Sequence, residues 1–217
     1  MRLRRYTPLP TPPPRAGWRD TEFCVMDLET TGMDLRRDDI VSYGATIVAN
    51  GRIHCGRSVY RLVRPERPVS VAAMTVHQLR QADLDAAARI DEVLDDLIGL
   101  LAHRVLVAHA AWFDAAYLNR ALHRRGRSLG RAVIDTAALL RACRLTPVGS
   151  PRESSVEAAA RHLKLPVHTP HHALGDAVTT AEIFLVLATR LERRLPAQPS
   201  RPLSVRQLCE LSRRHQD

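Results

Sequence analysis

The residues of this chain best suited to chemistry are acids placed at the ends of apolar runs. In Phe23-Cys24-Val25-Met26-Asp27-Leu28-Glu29-Thr30-Thr31-Gly32, four apolar residues lead into two carboxylates separated by one leucine. A strand alternates its side chains, so Asp27 and Glu29 project from the same face. Two carboxylates there repel each other and lose hydration. A divalent cation relieves both costs, and so does a strand end that dips into solvent. Asp114 opens a helix after the wholly apolar run Val105-Leu106-Val107-Ala108. There it either complements the helix dipole or points into a cleft at the strand's carboxyl end. Asp176 lies in the first turn of the last long helix.

Four carboxylates offering oxygen alone suit Mg²⁺ or Mn²⁺ rather than zinc. Two such ions about 4 Å apart activate a water and stabilise the leaving oxygen of a phosphoryl transfer. That chemistry also needs a base, and His171-His172 stands just ahead of Asp176. His172, four residues before Asp176, shares its helix face. His171, five residues before, would diverge by about 140° if both were helical, so it reaches the same place only from the preceding loop. An imidazole pKa of about 6.5 suits a general base. The residues alone leave the choice open.

The elements that must hold these groups follow from periodicity. A strand over about 22–29 precedes two β-like runs, Ile40 to Ala49 and Ile53 to Val63, joined by Asn50-Gly51, a two-residue hairpin signal. Ile90, Val93, Leu94, Leu97, Ile98 and Leu101 repeat at helical spacing within a helix expected from Ala86, with Asp91, Glu92, Asp95 and Asp96 on its solvated face. Val105 to Ala108 is a buried strand, followed by a helix with Phe113, Tyr117, Leu118 and Leu122 on one side. Val133-Ile134-Asp135 leads to a helix for which Asp135 is the N-cap, and Ser154 with Glu157 has capping-box spacing. A long helix covers about Ala173 to Arg194, and a short one about Val205 to Arg213. The order βββαβαβα makes an α/β domain with helices packed on a mixed sheet.

Composition bounds the reading. A chain of 217 residues suits one domain with appendages: a Pro/Arg-rich tail over 1–21, a core domain over 22–194 and a C-terminal tail over 195–217. Pro8, Pro10, Pro12, Pro13 and Pro14 make the first segment a flexible leader, and no apolar run is long enough to span a bilayer. Cys24, Cys55, Cys143 and Cys209 form no Cys-x-x-Cys pair, which points to free thiols and a cytoplasmic location. Thirty-two basic residues against 23 acidic ones give +9, almost all of it arginine with Lys164 the single lysine, a balance suited to a polyanionic partner.

Val25 to Gly32, His109-Ala110-Ala111-Trp112-Phe113-Asp114 and His171 to Ala177 together resemble the three exonuclease motifs of the DnaQ-like, DEDD-type 3′–5′ exonucleases. The order and spacing are similar, and the resemblance covers roughly residues 22–194. It implies a ribonuclease H-like fold, a five-stranded mixed sheet flanked by helices in a single domain. It implies that Asp27, Glu29, Asp114 and Asp176 hold two Mg²⁺ (or Mn²⁺) ions. In the His-containing branch the base lies five residues before the last Asp, which selects His171 and leaves His172 as its neighbour on the helix. Thr30 and Thr31 match positions near the terminal nucleotide and its 3′-hydroxyl, His109 matches a histidine beside the active site, and His77 matches a cleft-lining histidine. Two departures stand out: Ala110 replaces an asparagine common in the family, and Gln78 replaces a glycine after His77.

The expected activity is metal-dependent 3′–5′ hydrolysis of single-stranded nucleic-acid ends with release of nucleoside monophosphates. DNA is the favoured substrate, in proofreading or repair as for a DNA polymerase III epsilon subunit. RNA trimming, as in an oligoribonuclease, is the alternative. The rival of another class is a non-catalytic nucleic-acid-binding or polymerase adaptor module, whose mark would be a missing ligand acid. The expected partners are a single-stranded 3′ end and a DNA polymerase or other replication or repair protein, with no membrane. Gln207-Leu208-Cys209-Glu210-Leu211 faintly resembles a sliding-clamp peptide.

Overall fold

The computed structural model describes residues 6–147, 154–194 and 202–215. Its centre is a five-stranded mixed sheet in the order β4-β3-β2-β5-β7, formed by β2 (Phe23–Thr30), β3 (Ile40–Ala49), β4 (Arg52–Leu62), β5 (Val105–Ala108) and β7 (Val133–Asp135). The first three form an antiparallel meander, while β5 and β7 add in parallel. Asn50 and Gly51 take φ of 53° and 69°, the pair of positive values that lets a two-residue turn follow the strand twist. β3 is buried along its whole length, which is why its sequence reads as a nearly continuous apolar run.

Helices cover both faces. Phe23 and Val25 of β2 pack with α5 (Thr136–Ala142), α6 (Val156–His162), α7 (Ala173–Arg194) and α8 (Val205–Arg214). The alternate residues Cys24, Met26 and Leu28 pack with α3 (Ile90–Leu101) and α4 (Trp112–His123). Two short helices, α1 (Val71–His77) and α2 (Gln81–Leu84), bridge β4 to α3. The helix expected from Ala86 starts at Ile90, because Arg89 is the N-cap and its amide donates to Glu92 Oε2 at 2.8 Å. Among the described residues no helix is long and apolar enough to cross a membrane.

The segment expected to be a flexible leader is instead laid down on the domain from Tyr6 onward. Proline keeps it extended, so β1 (Thr7–Pro8) can pair in parallel with the short β6 (Arg127–Ser128). Tyr6 stacks on His123 at 3.6 Å, Leu9 is buried, and Trp18 sits edge-on to Phe184 with its indole donating to Glu192 at 2.8 Å. Residues 1–5 of that leader lie outside the described residues. At the other end α8 is a part of the core rather than a loose tail or clamp peptide. Leu208 is fully buried, and Ser212 Oγ accepts from the Asp135 amide at 2.8 Å. The two appendages meet: Trp18 N donates to Leu203 O at 2.9 Å, and Val205 N donates to Ala16 O at 3.0 Å.

The first turn of α7 lies directly on the sheet. Gly44 of β3, the register partner of Asp27, has no side chain to hold α7 away; a Cβ there would overlap the backbone of Ala173 and Leu174. Gly175, in that same turn, likewise leaves room for the carbonyls of His168 and Thr169. Replacing Gly44 with alanine is therefore expected to lift α7 and cost about 1–3 kcal/mol, an overpacking penalty that denaturant unfolding would register. Unfolding indistinguishable from the parent would show that this approach is not tight.

Candidate active site

The strand period carries Asp27 and Glu29 to the face of the sheet that α7 covers, and Gly44 lets Asp176 come down to meet them. Carboxylate oxygens of Asp27, Glu29 and Asp176 all lie within 4.8 Å of one another. A register shift between Glu29 and Thr30 breaks the regular ladder at this point, Glu29 pairing with Ser42 and Thr30 with Ile40. Asp114, buried in the first turn of α4, is not within that 4.8 Å cluster but lies near enough for its charge to act on both Asp27 and Glu29. The structure thus brings the four sequence-predicted acids to one place. Asp176 Oδ2 accepts from the His171 amide at 2.8 Å, whereas its buried Oδ1 has no hydrogen-bond partner among the described residues.

Crowding changes how these acids hold protons. Burial, reinforced by Asp176 and Asp114, pushes Glu29 up to about 8. Burial outweighs the backbone hydrogen bonds to Asp114 and brings it to about 8. Asp176 rises to about 6, again mainly by burial. Asp27 is raised well above the usual carboxylate range, by burial first and then by Asp114, Glu29, Asp176 and Glu157. Each shift comes first from burial, and at Asp27 and Glu29 the neighbouring carboxylates add to it. Carboxylate-only donors, mutual repulsion and an orphaned Oδ1 all fit a hard divalent cation.

The pH consequence has a definite sign. Acids with raised folded values hold protons that the unfolded chain has released, so stability without metal falls as pH rises from about 4.5 towards 8. Asp27→Asn should stabilise the metal-free protein near the upper end of that window by about 1–3 kcal/mol. Divalent cations should stabilise the parent there and the variant less. Thermal melting across that range, with and without chelator, checks both statements, and a parent whose stability rises with pH would contradict them.

His171 projects from the loop ahead of α7 with φ of 58°, its side chain half exposed and Nε2 3.5 Å from Glu157 Oε1. His172 stacks on Tyr60, ring centroids 4.2 Å apart. Glu157 is the residue that sequence reasoning missed. Its capping-box spacing from Ser154 offered a local explanation, but the N-cap is Ser155, whose hydroxyl accepts from Ala158 N. One position further on, Glu157 faces His171 and adds its charge to Asp27 and Asp176.

The expected nucleotide contacts divide. Thr30 and His77 share the wall of an apolar cleft beside Glu29 with Leu28, Met33 and Phe113. His77 closes α1, accepts from Leu79 N at 3.0 Å, and is shifted towards its neutral form by burial. Gln78 takes the left-handed C-cap, φ 61°, where a glycine would be unstrained. Thr31 does not face the cleft: it is fully buried, donates to Asp38 and accepts from Asp39 N. Its hydroxyl braces the loop after β2. His109 also departs from expectation. It is buried with Nδ1 2.8 Å from Thr136 Oγ1 and Nε2 2.6 Å from Ser154 O, so both ring nitrogens are engaged within the protein. Its neighbour Ala110 has φ 52°, a region that asparagine tolerates better than alanine. Ala110→Asn should therefore stabilise the fold by about 0.5–1 kcal/mol in denaturant unfolding; a loss of stability would show that the added side chain clashes.

An exonuclease family model, RNase_T, matches residues 24–184. A DNA polymerase III subunit epsilon-like protein of Rhodobacter capsulatus is 35% identical over 175 residues, 79% of this chain and 24% of that protein. A DNA polymerase III PolC-type of Thermotoga petrophila is 31% identical over 171 residues, 78% of this chain and 12% of that protein. The chain thus spans a quarter or less of the length of these relatives. Among solved structures, exonuclease X in complex with 5′ overhanging duplex DNA superposes with a TM-score of 0.66 and 26% identity, covering 88% of this chain and 99% of that one.

Proposed function

The chain belongs to the RNase_T exonuclease family, in its DnaQ-like group, and on that premise we propose that it is a metal-dependent 3′–5′ exonuclease acting on single-stranded ends. The observation that carries the reading is the convergence of carboxylate oxygens of Asp27, Glu29 and Asp176 within 4.8 Å, with the buried Asp114 near enough to act on Asp27 and Glu29. We assign these four acids as ligands of two Mg²⁺ (or Mn²⁺) ions. Bound there, such ions supply charge that activates water and steadies the leaving 3′-oxygen. The remaining work belongs to the chain. His171 takes the proton of the attacking water, from a loop that Asp176 pins through the His171 amide. Glu157 beside the ring stabilises the imidazolium that results. Thr30 and His77 line the apolar cleft where the terminal nucleotide would rest. Hydrolysis breaks the bond between phosphorus and the 3′-oxygen of the preceding sugar, leaving the phosphate on the released nucleoside 5′-monophosphate.

DNA is the favoured substrate, because the relatives are DNA polymerase III proteins and the similar exonuclease X structure holds DNA. A DNA polymerase or another replication or repair protein is the corresponding partner. The cytoplasm, where thiols stay reduced, is its place, given four free cysteines. The exonuclease domain is residues 22–194, with the N-terminal arm and α8 as appendages that complete its core.

Digestion of labelled single-stranded DNA, RNA and dinucleotides with Mg²⁺ or Mn²⁺ tests the proposal. Monophosphates should appear one at a time from the 3′ end, fastest on DNA; faster RNA or dinucleotide cleavage would move the assignment to the exoribonuclease alternative. Asp27→Ala with Asp176→Ala should abolish turnover, and His171→Ala should lower the rate by about 10²–10⁴-fold. Full activity in the double variant would sink the metal-site assignment. Metal-independent strand binding without cleavage would instead favour the adaptor reading.

A further inference from the structure

A groove of about 600 Å³ lies at the β7 edge of the sheet, between the first turn of α4 and the last turn of α8. Its walls carry Trp112, Asn119, Arg131 and Arg213. Trp112 is 48% exposed although it is large and apolar, and Phe113 holds its ring in an edge contact at 5.7 Å. Elsewhere several arginines are spent on acids: Arg19 on Glu192, Arg57 and Arg104 on Glu22, Arg124 and Arg125 on Asp91. Arg131 and Arg213 are exposed and enter no ion pair with the described residues. Glu210, one turn before Arg213 on α8, is taken by Arg206 at 2.7 Å. The wall is therefore cationic, with an aromatic face between two guanidiniums that no described acid pairs.

The position of the groove matters as much as its composition. Trp112 stands two residues before Asp114, so groove and carboxylates flank the same helical turn, about 3 Å apart in rise. Beyond Gly130 and Arg131 a second depression continues between the N-terminal arm and α8. A single strand offers phosphate charge for the guanidiniums and a flat base for the exposed part of the indole. Resting on the exonuclease reading of the neighbouring site, we propose that this groove holds the strand upstream of the terminal nucleotide. One base stacks on Trp112, and the adjoining phosphates lie against Arg131 and Arg213.

The test uses full-length protein made inactive by Asp27→Asn and follows fluorescence polarisation of labelled DNA and RNA. One probe is a trinucleotide that fills only the cleft, and the other a strand of roughly sixteen nucleotides, ample for an extended site. Trp112→Ala should weaken the long probe about tenfold and the short one far less, with Trp112→Phe restoring most of the loss. Arg131→Ala with Arg213→Ala should weaken the long probe and lower its log–log salt slope by about 0.7 per arginine. Melting curves matching the parent's certify that each variant is folded. Equal losses on both probes, an unchanged salt slope or undiminished binding would overturn the proposal, the last also being what a protein-docking groove gives. If the unsubstituted chain cleaves nothing yet binds the long strand through Trp112, the activity reading fails and the groove stands. If the unsubstituted chain cleaves but binds the long strand independently of Trp112, the activity stands and the groove fails.

Discussion

Everything at the site depends on how closely the first turn of α7 can approach the middle of β3. Gly44 sets that distance, being opposite Asp27 in the ladder and directly beneath Ala173 and Leu174. Sheet geometry alone delivers Asp27 and Glu29 to one face, but a pair of acids has no site until something faces it. The bare strand at Gly44 lets a helix supply Asp176, and the loop leading into that helix supplies His171. Gly175 does the same on the helix side by admitting the carbonyls of His168 and Thr169. Two missing side chains therefore decide where Asp176 meets the strand acids.

That placement opposes stability. Acids pressed together beneath a helix are forced towards their protonated forms, as Glu29 and Asp114 near 8 illustrate. Among the described residues nothing cationic compensates Asp27 or Glu29, although arginine is abundant. The guanidiniums are deployed instead on outer surfaces, where they pair with Glu22, Asp91 and Glu192. A core that withholds its own cations from a buried acidic cluster leaves the cluster open to cations from solution. The remaining neighbour, Glu157, adds another negative charge and lies 3.5 Å from His171.

Much of this was legible because it is periodic. The alternation of β2, the apolar stripe of α7 and the Asn50-Gly51 turn each follow from local chemistry, and the observed elements match them closely. Asp114 and Asp176 fall in the first turns of α4 and α7, where the apolar periodicity of those helices puts them. What stayed hidden was long-range. Glu157 had an adequate local explanation in capping, and only the tertiary position of α6 aims it at His171. His109 belonged to a recognised motif, yet its ring nitrogens are consumed by Thr136 and Ser154, residues 27 and 45 positions away. The proline-rich arm announced no core, because two anchors, Leu9 and Trp18, are too sparse to make a pattern.

The seam between that arm and the segment before α8 bears on how the domain orders. Ala16 to Trp18 and Leu203 to Val205 run antiparallel, joined by backbone hydrogen bonds on both sides of a Gly17–Ser204 bridge. Beyond this seam both segments continue over the domain, the arm to its pairing with β6 and the other as α8 in the core. Each appendage satisfies backbone groups of the other, so the arm and α8 order against the sheet as one unit rather than one at a time.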